Sequence, residues 1–168
     1  MQRYSLCPSS PVGADLMRVR AAVPGDIPAM RRLAVGSPEA AQWDSRAWEE
    51  VFTAGAAPRV ALVSDENDGV LGFVMARALG SEWELENIVV AASVRRRGIA
   101  RQLVQHLMER ARTQEAEAIH LEVRASNQAA RTLYADCGFT ETGRREAYYA
   151  QPAEDAVLYK FSFSSPNK

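Results

Sequence analysis

The feature that most constrains this chain is the stretch ASVRRRGIARQLVQHLMERA, which covers residues 92–111. Its second half predicts an amphipathic helix, because apolar residues recur there at helical spacing. Three arginines, Arg95, Arg96 and Arg97, stand where that helix begins. A helix start carries partial positive charge and unpaired backbone N–H groups, so it favours acidic or hydroxyl side chains over cations. The arginines therefore break a local rule, and such breaks are typical of functional sites.

A ligand that carries phosphate would resolve this conflict. Gly98 follows the arginines and predicts a turn into the helix; such a turn aims successive N–H groups at one point, and the helix dipole adds to the positive field. A bound phosphate would replace the repulsion among the arginines with charge-assisted hydrogen bonds. The sequence contains neither the P-loop motif G-x-x-x-x-G-K-[ST] nor the Rossmann motif G-x-G-x-x-G. From charge alone, a solvated cluster of surface arginines is the alternative interpretation.

Composition narrows the class of protein. The 168 residues are 47% hydrophobic, which is enough for one well-buried domain. Lys and Arg number 20 against 21 Asp and Glu, so no global charge favours nucleic acid or an anionic membrane as a partner. No apolar run approaches the roughly 20 residues of a membrane span. We therefore expect a soluble cytoplasmic protein that binds neither nucleic acid nor membrane. The sequence leaves the oligomeric state open, and a monomer is compatible with it.

Hydrophobic periodicity predicts the element order β-α-α-β-β-β-α-β-α-β-β. The second helix of this series is expected to end near Gly55, and the sequence AQPAED, residues 150–155, is expected to be a loop. Residues 1–15 predict a disordered lead-in, residues 16–163 a single domain, and residues 164–168 a tail. Met17 is a second candidate for the true start.

Two residues are candidates for acid–base chemistry. Glu122 lies in the sequence AIHLEVR, residues 118–124, where apolar and polar residues alternate as in a strand with one polar face. Tyr134 lies on the helix that follows, and a phenol with a pKa near 10 stays protonated at neutral pH. Spacing alone leaves two alternatives open, namely a solvated strand residue for Glu122 and a core residue for Tyr134.

The sequence RRRGIA and the element order together resemble the GNAT acetyltransferase superfamily. Its signature is Q/R-x-x-G-x-G/A, which Arg95, Gly98 and Ala100 match here. The resemblance spans residues 17–163. It implies an α/β (α+β) fold in which a mixed, mostly antiparallel central sheet is flanked by helices. It also implies direct acetyl transfer from acetyl-CoA, with neither a metal nor a covalent enzyme intermediate.

A narrower resemblance concerns the acceptor of the acetyl group. The sequences LEVRASNQAARTLYADCGF and GRREAYYAQPAEDAVLYKF are similar to the RimI-type group of this superfamily, which acetylates the N-terminal alanine of a small-subunit ribosomal protein. Two positions depart from that group: Ala147 stands where Asn is usual, and Gln42 precedes Trp43 where Pro is usual. Both concern the acceptor side. The alternatives are an acetyltransferase for another protein N-terminus or a small amine, and a non-catalytic domain that senses acyl-CoA.

The resemblance assigns the proton transfers. An N-terminal amine has a pKa of roughly 8 and is partly protonated near neutral pH, so a base must take a proton from it. The departing CoA thiolate in turn needs an acid. The resemblance implies Glu122 as the base and Tyr134 as the acid. Glu84 and Glu86 on the preceding strand are alternative bases.

The resemblance also assigns the binding residues. It places the pantetheine arm of acetyl-CoA against the main chain of Ile88, Val89 and Val90. The other predicted cofactor residues form or adjoin the arginine turn, apart from one at the start of the later helix: Arg95, Arg96, Arg97, Gly98, Ile99, Ala100, Arg101 and Asn127. Asn127 is equally a candidate helix cap. Tyr148 and Tyr149, which we expect in the loop before the last strand, are implied to shape the acceptor groove, and packing on the sheet is the alternative. Trp43 is implied to close the same groove, and the alternative is that it anchors its helix to the core.

Overall fold

The computed structural model describes residues 17–53, 55 and 57–163, and the predicted lead-in and tail lie outside this part. The elements follow the predicted order. The strands are β1 Arg18–Ala21, β2 Arg59–Glu66, β3 Gly69–Leu79, β4 Glu82–Val90, β5 Ala118–Arg124, β6 Thr140–Ala150 and β7 Ala153–Ser162. The helices are α1 Ile27–Val35, α2 Ser45–Glu49, α3 Ile99–Thr113 and α4 Gln128–Asp136.

The strands form one sheet in the order β1-β2-β3-β4-β5-β7-β6. All neighbours are antiparallel except β4 and β5, which are parallel and joined through α3. The predicted mixed, mostly antiparallel sheet with flanking helices is therefore confirmed. Pairing between β4 and β5 extends only from Glu82↔Ala118 to Glu84↔His120. β5, in contrast, pairs with β7 along its whole length.

Both faces of the sheet are covered by apolar side chains. On one face, Leu103 and Leu107 of α3 pack with Trp83, Ile119 and other fully buried residues. On the opposite face, Met30 of α1 and Trp48 of α2 pack against Phe73. The helices lie on the sheet in this way because each presents an apolar stripe at helical spacing. Burying both faces is the dominant stabilising term in a domain of this kind.

A bulge in β4 exchanges the two faces of that strand. The register with β3 shifts between Met75 and Ala76, so that Glu86 has no direct partner. Before the shift, Trp83 and Leu85 pack with α3; after it, Val89 packs with α1. These three residues would all point the same way in a regular strand. The extra residue of a bulge reverses the alternation and bends the strand.

Two predicted boundaries were wrong. The second helix ends at Glu49 and continues as a 3₁₀ turn over Glu50–Phe52, because Val51 is drawn into the core and tightens the last turn. The predicted loop at residues 150–155 is only a tight turn at Gln151 and Pro152, since β6 and β7 extend up to it from both sides. No helix in the described residues is long and apolar enough to cross a membrane.

Gly72 provides a test of the close approach between β3 and β4. A Cβ at this position would lie 2.7 Å from the carbonyl oxygen of Val89, which belongs to the backbone and cannot rotate away. We expect Gly72→Ala to lower the free energy of unfolding by about 1–3 kcal/mol, as overpacking does. Urea unfolding monitored by tryptophan fluorescence measures this change. The control is Gly25→Ala, where a Cβ meets nothing within 4 Å; equal losses in both variants would contradict the prediction.

Candidate active site

The sheet opens where β4 and β5 separate. Past Glu84, the residues of β4 are paired with β3 on one side, but no strand in the described part of the chain pairs with them on the other. The predicted cofactor residues Ile88, Val89 and Val90 lie in this segment. Their free main-chain groups can pair with an extended ligand as a strand would. The opening therefore suits an arm that carries amide groups.

The arginine turn continues from this segment. After a short 3₁₀ turn at Ala92–Val94, Arg95 is extended, and Arg96 and Gly98 adopt positive φ angles of 66° and 79°. Alternation of this kind points successive N–H groups into one concavity, which binds anions. Gly98 is the N-cap of α3 and offers no capping side chain, so the first N–H groups of the helix can bind a ligand. The geometry agrees with the predicted phosphate site.

The cations of the turn fall into two groups. Arg97 is paired with Glu66 of the β2–β3 hairpin at 3.0 Å, and Arg101 with a carboxylate of α4 at 2.8 Å. Arg95 and Arg96 are exposed, and neither has a carboxylate within ion-pair distance among the described residues. Part of the predicted repulsion is therefore relieved within the protein. Arg95 and Arg96 are the cations best placed to meet a diphosphate.

Three other predicted cofactor residues have structural roles or limited access. The Ile99 side chain is buried in the core under α3, so only its backbone faces the turn, and Ala100 is partly buried beside it. Asn127 caps α4, since its side-chain oxygen accepts a hydrogen bond from the Ala130 N–H at 3.1 Å. The capping interpretation of Asn127 is thus confirmed, and its contact with the cofactor stays a prediction.

Tyr134 is a buried phenol. Its side chain packs against Phe139 and Tyr159, with ring centroids 5.7 Å and 6.2 Å away, and only 4% of the residue is exposed. Burial, followed by the neighbouring Cys137 and Tyr149, raises the pKa of the Tyr134 phenol. The group therefore remains protonated at any working pH and can donate a proton or a hydrogen bond.

Glu122 lies in contact with a cation and a phenol. Its side chain is 25% exposed, and its Oε1 is 3.1 Å from Nη1 of Arg145. A hydrogen bond to the Glu122 carboxylate, reinforced by the charge of that carboxylate, raises the pKa of the Tyr148 phenol. Glu122 and Glu84 line one cleft of about 290 Å³ between β4, β5, β6 and β7. A small acceptor group can reach the carboxylate from this cleft.

Glu122 and Tyr134 approach the opening from opposite faces of the sheet. Leu121 and Val123 of β5 pack in the same core as Tyr134, so Glu122, which alternates with them, faces the other way. The two faces communicate where β4 and β5 separate.

The alternative bases differ in their surroundings. Glu86, at the β4 bulge, is paired with Arg59 at 2.8 Å and Arg77 at 2.6 Å and is largely buried. Two cations hold this carboxylate in place, which favours a structural role. Glu84 is exposed in the cleft that Glu122 lines. Of the two alternatives, the geometry favours Glu84.

The predicted acceptor residues lie on the same face as Glu122. Tyr148 and Tyr149 were expected in a loop but belong to β6. Their rings meet edge to face, with centroids 5.2 Å apart. Sequence reasoning missed the two guanidiniums that cover these rings, namely Arg145 over Tyr148 at 5.4 Å and Arg124 over Tyr149 at 4.1 Å. Strand alternation could have placed Arg124 on the same face as Glu122. Arg145 lies on a different strand, far from Glu122 in sequence, so alternation could not predict their contact.

Trp43 and Gln42 belong to the segment between α1 and α2. The Trp43 ring packs against Trp48 at 5.3 Å, under the guanidinium of Arg59 at 4.9 Å. Nε2 of Gln42 lies within hydrogen-bond distance of three main-chain carbonyls between residues 34 and 40, at 3.1–3.2 Å, and shares its two N–H groups among them. Gln42 thus stabilises its own loop, which gives a structural reason for its presence before Trp43. The role of Trp43 in the acceptor groove stays a prediction.

The remaining chemical groups point to no other centre. In the part of the chain that the structure describes, no group of three or more His, Cys, Asp and Glu residues could hold a metal ion. Burial raises the pKa of the Cys137 thiol, so this cysteine is a poor nucleophile.

Comparison with known proteins identifies the family. Residues 27–139 match the model of the acetyltransferase (GNAT) family. The chain is 38% identical over 100 residues to the [ribosomal protein bS18]-alanine N-acetyltransferase of Salmonella typhimurium, covering 58% of this chain and 68% of that enzyme. The crystal structure of the ribosomal-protein-S18-alanine N-acetyltransferase from Escherichia coli superimposes with a TM-score of 0.80 at 25% identity, covering 91% of this chain and 97% of that one. Arabidopsis thaliana NAA60 in complex with acetyl-CoA shares the fold, with a TM-score of 0.77 at 18% identity over 88% of this chain and 98% of that one.

These matches define a class of enzyme, the N-acetyltransferases. The chain belongs to the GNAT acetyltransferase family. The prediction of an acetyl-CoA-dependent N-acetyltransferase is thereby confirmed. The role of the arginine turn in binding phosphate stays a prediction.

Arg96 provides the test of the anion turn. We expect Arg96→Gln to weaken acetyl-CoA binding by about tenfold at low salt, which corresponds to the loss of one charge-assisted hydrogen bond. The loss should shrink as ionic strength rises, because salt screens the charge that is removed. Isothermal titration calorimetry at two salt concentrations measures both effects. Arg112→Gln removes the same charge at the far end of α3, where Arg112 pairs with Glu109, and should leave binding unchanged. Equal affinities for the two variants would contradict the assignment.

Proposed function

We propose that this enzyme transfers the acetyl group of acetyl-CoA to the N-terminal amine of a protein, and that the N-terminal alanine of ribosomal protein bS18 is its first acceptor. The observation that carries the proposal is the opening between β4 and β5, which connects the arginine turn with Glu122 on one face and Tyr134 on the other. The acceptor follows from the Salmonella and Escherichia coli enzymes, whose names specify this alanine. Because ribosomal proteins are made in the cytoplasm, we also infer a cytoplasmic location. We further infer that residues 16–163 form one catalytic domain.

The cofactor side uses groups of the main chain and two arginines. The free edge of β4 at Ile88–Val90 would pair with the pantetheine arm, and the N–H groups around Gly98 would bind the diphosphate with Arg95 and Arg96. Acetyl-CoA supplies the acetyl group as a thioester. An N–H of the β4 edge that donates to the thioester carbonyl would stabilise the negative charge that develops on its oxygen.

Glu122 and Tyr134 would move the protons. Glu122 takes a proton from the acceptor ammonium, directly or through water, and the free amine then attacks the carbonyl carbon. A C–N bond forms and the C–S bond breaks, so the electron pair of that bond leaves on sulfur. The attacking nitrogen then releases its second proton to water, which leaves the neutral amide. Tyr134, which burial keeps protonated, donates its proton to the thiolate. Positioned acid and base groups of this kind each contribute roughly 10²- to 10⁴-fold to a rate.

The acceptor would enter over the face that carries Tyr148 and Tyr149. These rings lie beside Glu122 and are held by Arg145 and Arg124. Aromatic rings provide rigid contact area for a short peptide, and a carboxylate at the end of the groove attracts its N-terminal ammonium. This arrangement supports a protein N-terminus over a neutral acceptor.

Glu122→Gln tests the base. The variant keeps the shape of the side chain but cannot accept the proton, so we expect kcat to fall by about 100-fold or more with little change in acetyl-CoA affinity. Steady-state kinetics and calorimetry measure the two quantities. The control is Glu117→Gln, because Glu117 is exposed just before β5 and outside the proposed site. A large loss of acetyl-CoA affinity with normal turnover would instead place Glu122 in the cofactor site.

A panel of acceptors tests the substrate class. Peptides that begin with Ala, Ser, Met and Thr, and a set of small amines, are offered with acetyl-CoA, and acetylation is followed by mass spectrometry. We expect the peptide with the bS18 N-terminus to be acetylated with the highest kcat/KM. Faster acetylation of small amines would favour the alternative acceptor. Binding of acetyl-CoA without transfer to any acceptor would favour the non-catalytic sensor.

A further inference from the structure

β6, the strand that carries Tyr148 and Tyr149, contains a bulge of three residues. Arg145 pairs with Ala156 and Tyr149 pairs with Glu154, so the three residues of β6 in between face the single residue Asp155 of β7. The middle residue of the three, Ala147, has a φ angle of 48°. A bulge of this size is a local feature, since pairing resumes on both sides of it, with Gly143–Arg145 before it and Tyr149–Ala150 after it; a second, smaller shift lies between Glu141 and Gly143.

Ala147 is poorly suited to this conformation. The left-handed region is unfavourable for residues that have a Cβ, and Asn and Asp enter it more readily than Ala because their short polar side chains bond locally. Here the stabilising group comes from the neighbouring strand, because Oδ1 of Asp155 accepts a hydrogen bond from the Ala147 N–H at 2.9 Å.

The bulge determines where the two rings point. Adjacent residues of a regular strand project to opposite faces of the sheet, and their rings do not touch. Tyr148 lies within the bulge, and its ring meets that of Tyr149 with centroids 5.2 Å apart. The same displacement places Tyr148 beside Glu122: the Arg145 guanidinium lies 5.4 Å from the Tyr148 ring and 3.1 Å from the Glu122 carboxylate. A hydrogen bond to that carboxylate and its charge raise the pKa of the Tyr148 phenol.

Glu154, which precedes Asp155 in β7, makes different contacts. Glu154 is paired with Arg124 at 3.5 Å and accepts a hydrogen bond from the Ser126 N–H ahead of α4. Since side chains alternate along a strand, Glu154 and Asp155 serve opposite sides of β7. Asp155 therefore acts on the bulge, and its removal leaves the described interactions of Glu154 intact.

We infer that Asp155 is a positioning residue for the acceptor site: by holding the Ala147 N–H it maintains the bulge that places Tyr148 beside Tyr149 and against Glu122. This inference rests on the proposed function in one respect, which is that these tyrosines contact the acceptor. Asp155 touches neither substrate. Its effect should therefore appear on the acceptor side and leave the cofactor side unchanged.

Three variants test the inference by kinetics. Asp155→Ala removes the hydrogen bond and should raise the acceptor KM by about tenfold, the usual effect of losing a bond to a charged group, with the KM for acetyl-CoA unchanged. Asp155→Asn keeps the accepting oxygen and should remain close to the wild type. Adding Ala147→Gly to Asp155→Ala should recover most of the loss, because glycine adopts positive φ freely. Thermal unfolding of each variant shows whether the fold is intact.

Tyrosine NMR provides a readout that needs no acceptor. In protein labelled with ¹³C at tyrosine Cζ, the signal assigned through Tyr148→Phe should titrate at a lower pH in Asp155→Ala than in the wild type, because the bond to Glu122 is lost. If no N-terminal peptide is acetylated, the proposed function fails and this titration still decides on Asp155. An unchanged titration, equal effects on both KM values, or no recovery with Ala147→Gly would overturn the inference.

Discussion

The divergence of β4 from β5 is the constraint on which the rest of this structure depends. The two strands pair over only three residue pairs and then separate, and the bulge at Glu86 is the local cause that the structure offers. The extra residue bends β4, and Arg59 and Arg77 hold the Glu86 carboxylate on either side. A largely buried carboxylate needs cationic partners to offset its loss of hydration. The ion pairs therefore fix the shape of an opening in which they take no chemical part.

In the proposed mechanism, the opening would make a base and an acid on opposite faces of one sheet accessible to the same ligand. Glu122 faces the cleft and Tyr134 faces the core, so their environments differ as their roles require. Burial keeps the phenol protonated, while partial exposure leaves the carboxylate open to an acceptor. The arginine turn after β4 adds positive charge, which would attract the diphosphate of the cofactor. Positive φ at Arg96, a residue with a Cβ, is unfavourable in itself, whereas the concavity of N–H groups that it forms with Gly98 would be stabilised by an anion.

Periodicity sufficed for the element order, for the turn before α3 and for the polar face that carries Glu122, because each depends on residues close together in sequence. It could not reveal either bulge. Strict alternation assigns Leu85 and Val89 to one face, yet they pack on opposite faces. Alternation likewise separates Tyr148 from Tyr149, which are in contact. Whether a strand takes in an extra residue is decided by its partner strands, and the contact of Arg145 with Glu122 depends on the same long-range pairing.

The most direct test of this account is hydrogen exchange, measured at single amides by NMR with and without saturating CoA. CoA lacks the acetyl group, so the experiment reports binding alone. The account predicts that exchange slows at the free edge of β4, residues 88–90, and at the N–H groups of residues 96–99, while the amides of β1 and β2 on the far side of the sheet are unaffected. Unchanged exchange in both segments, or slowing confined to another part of the sheet, would contradict it.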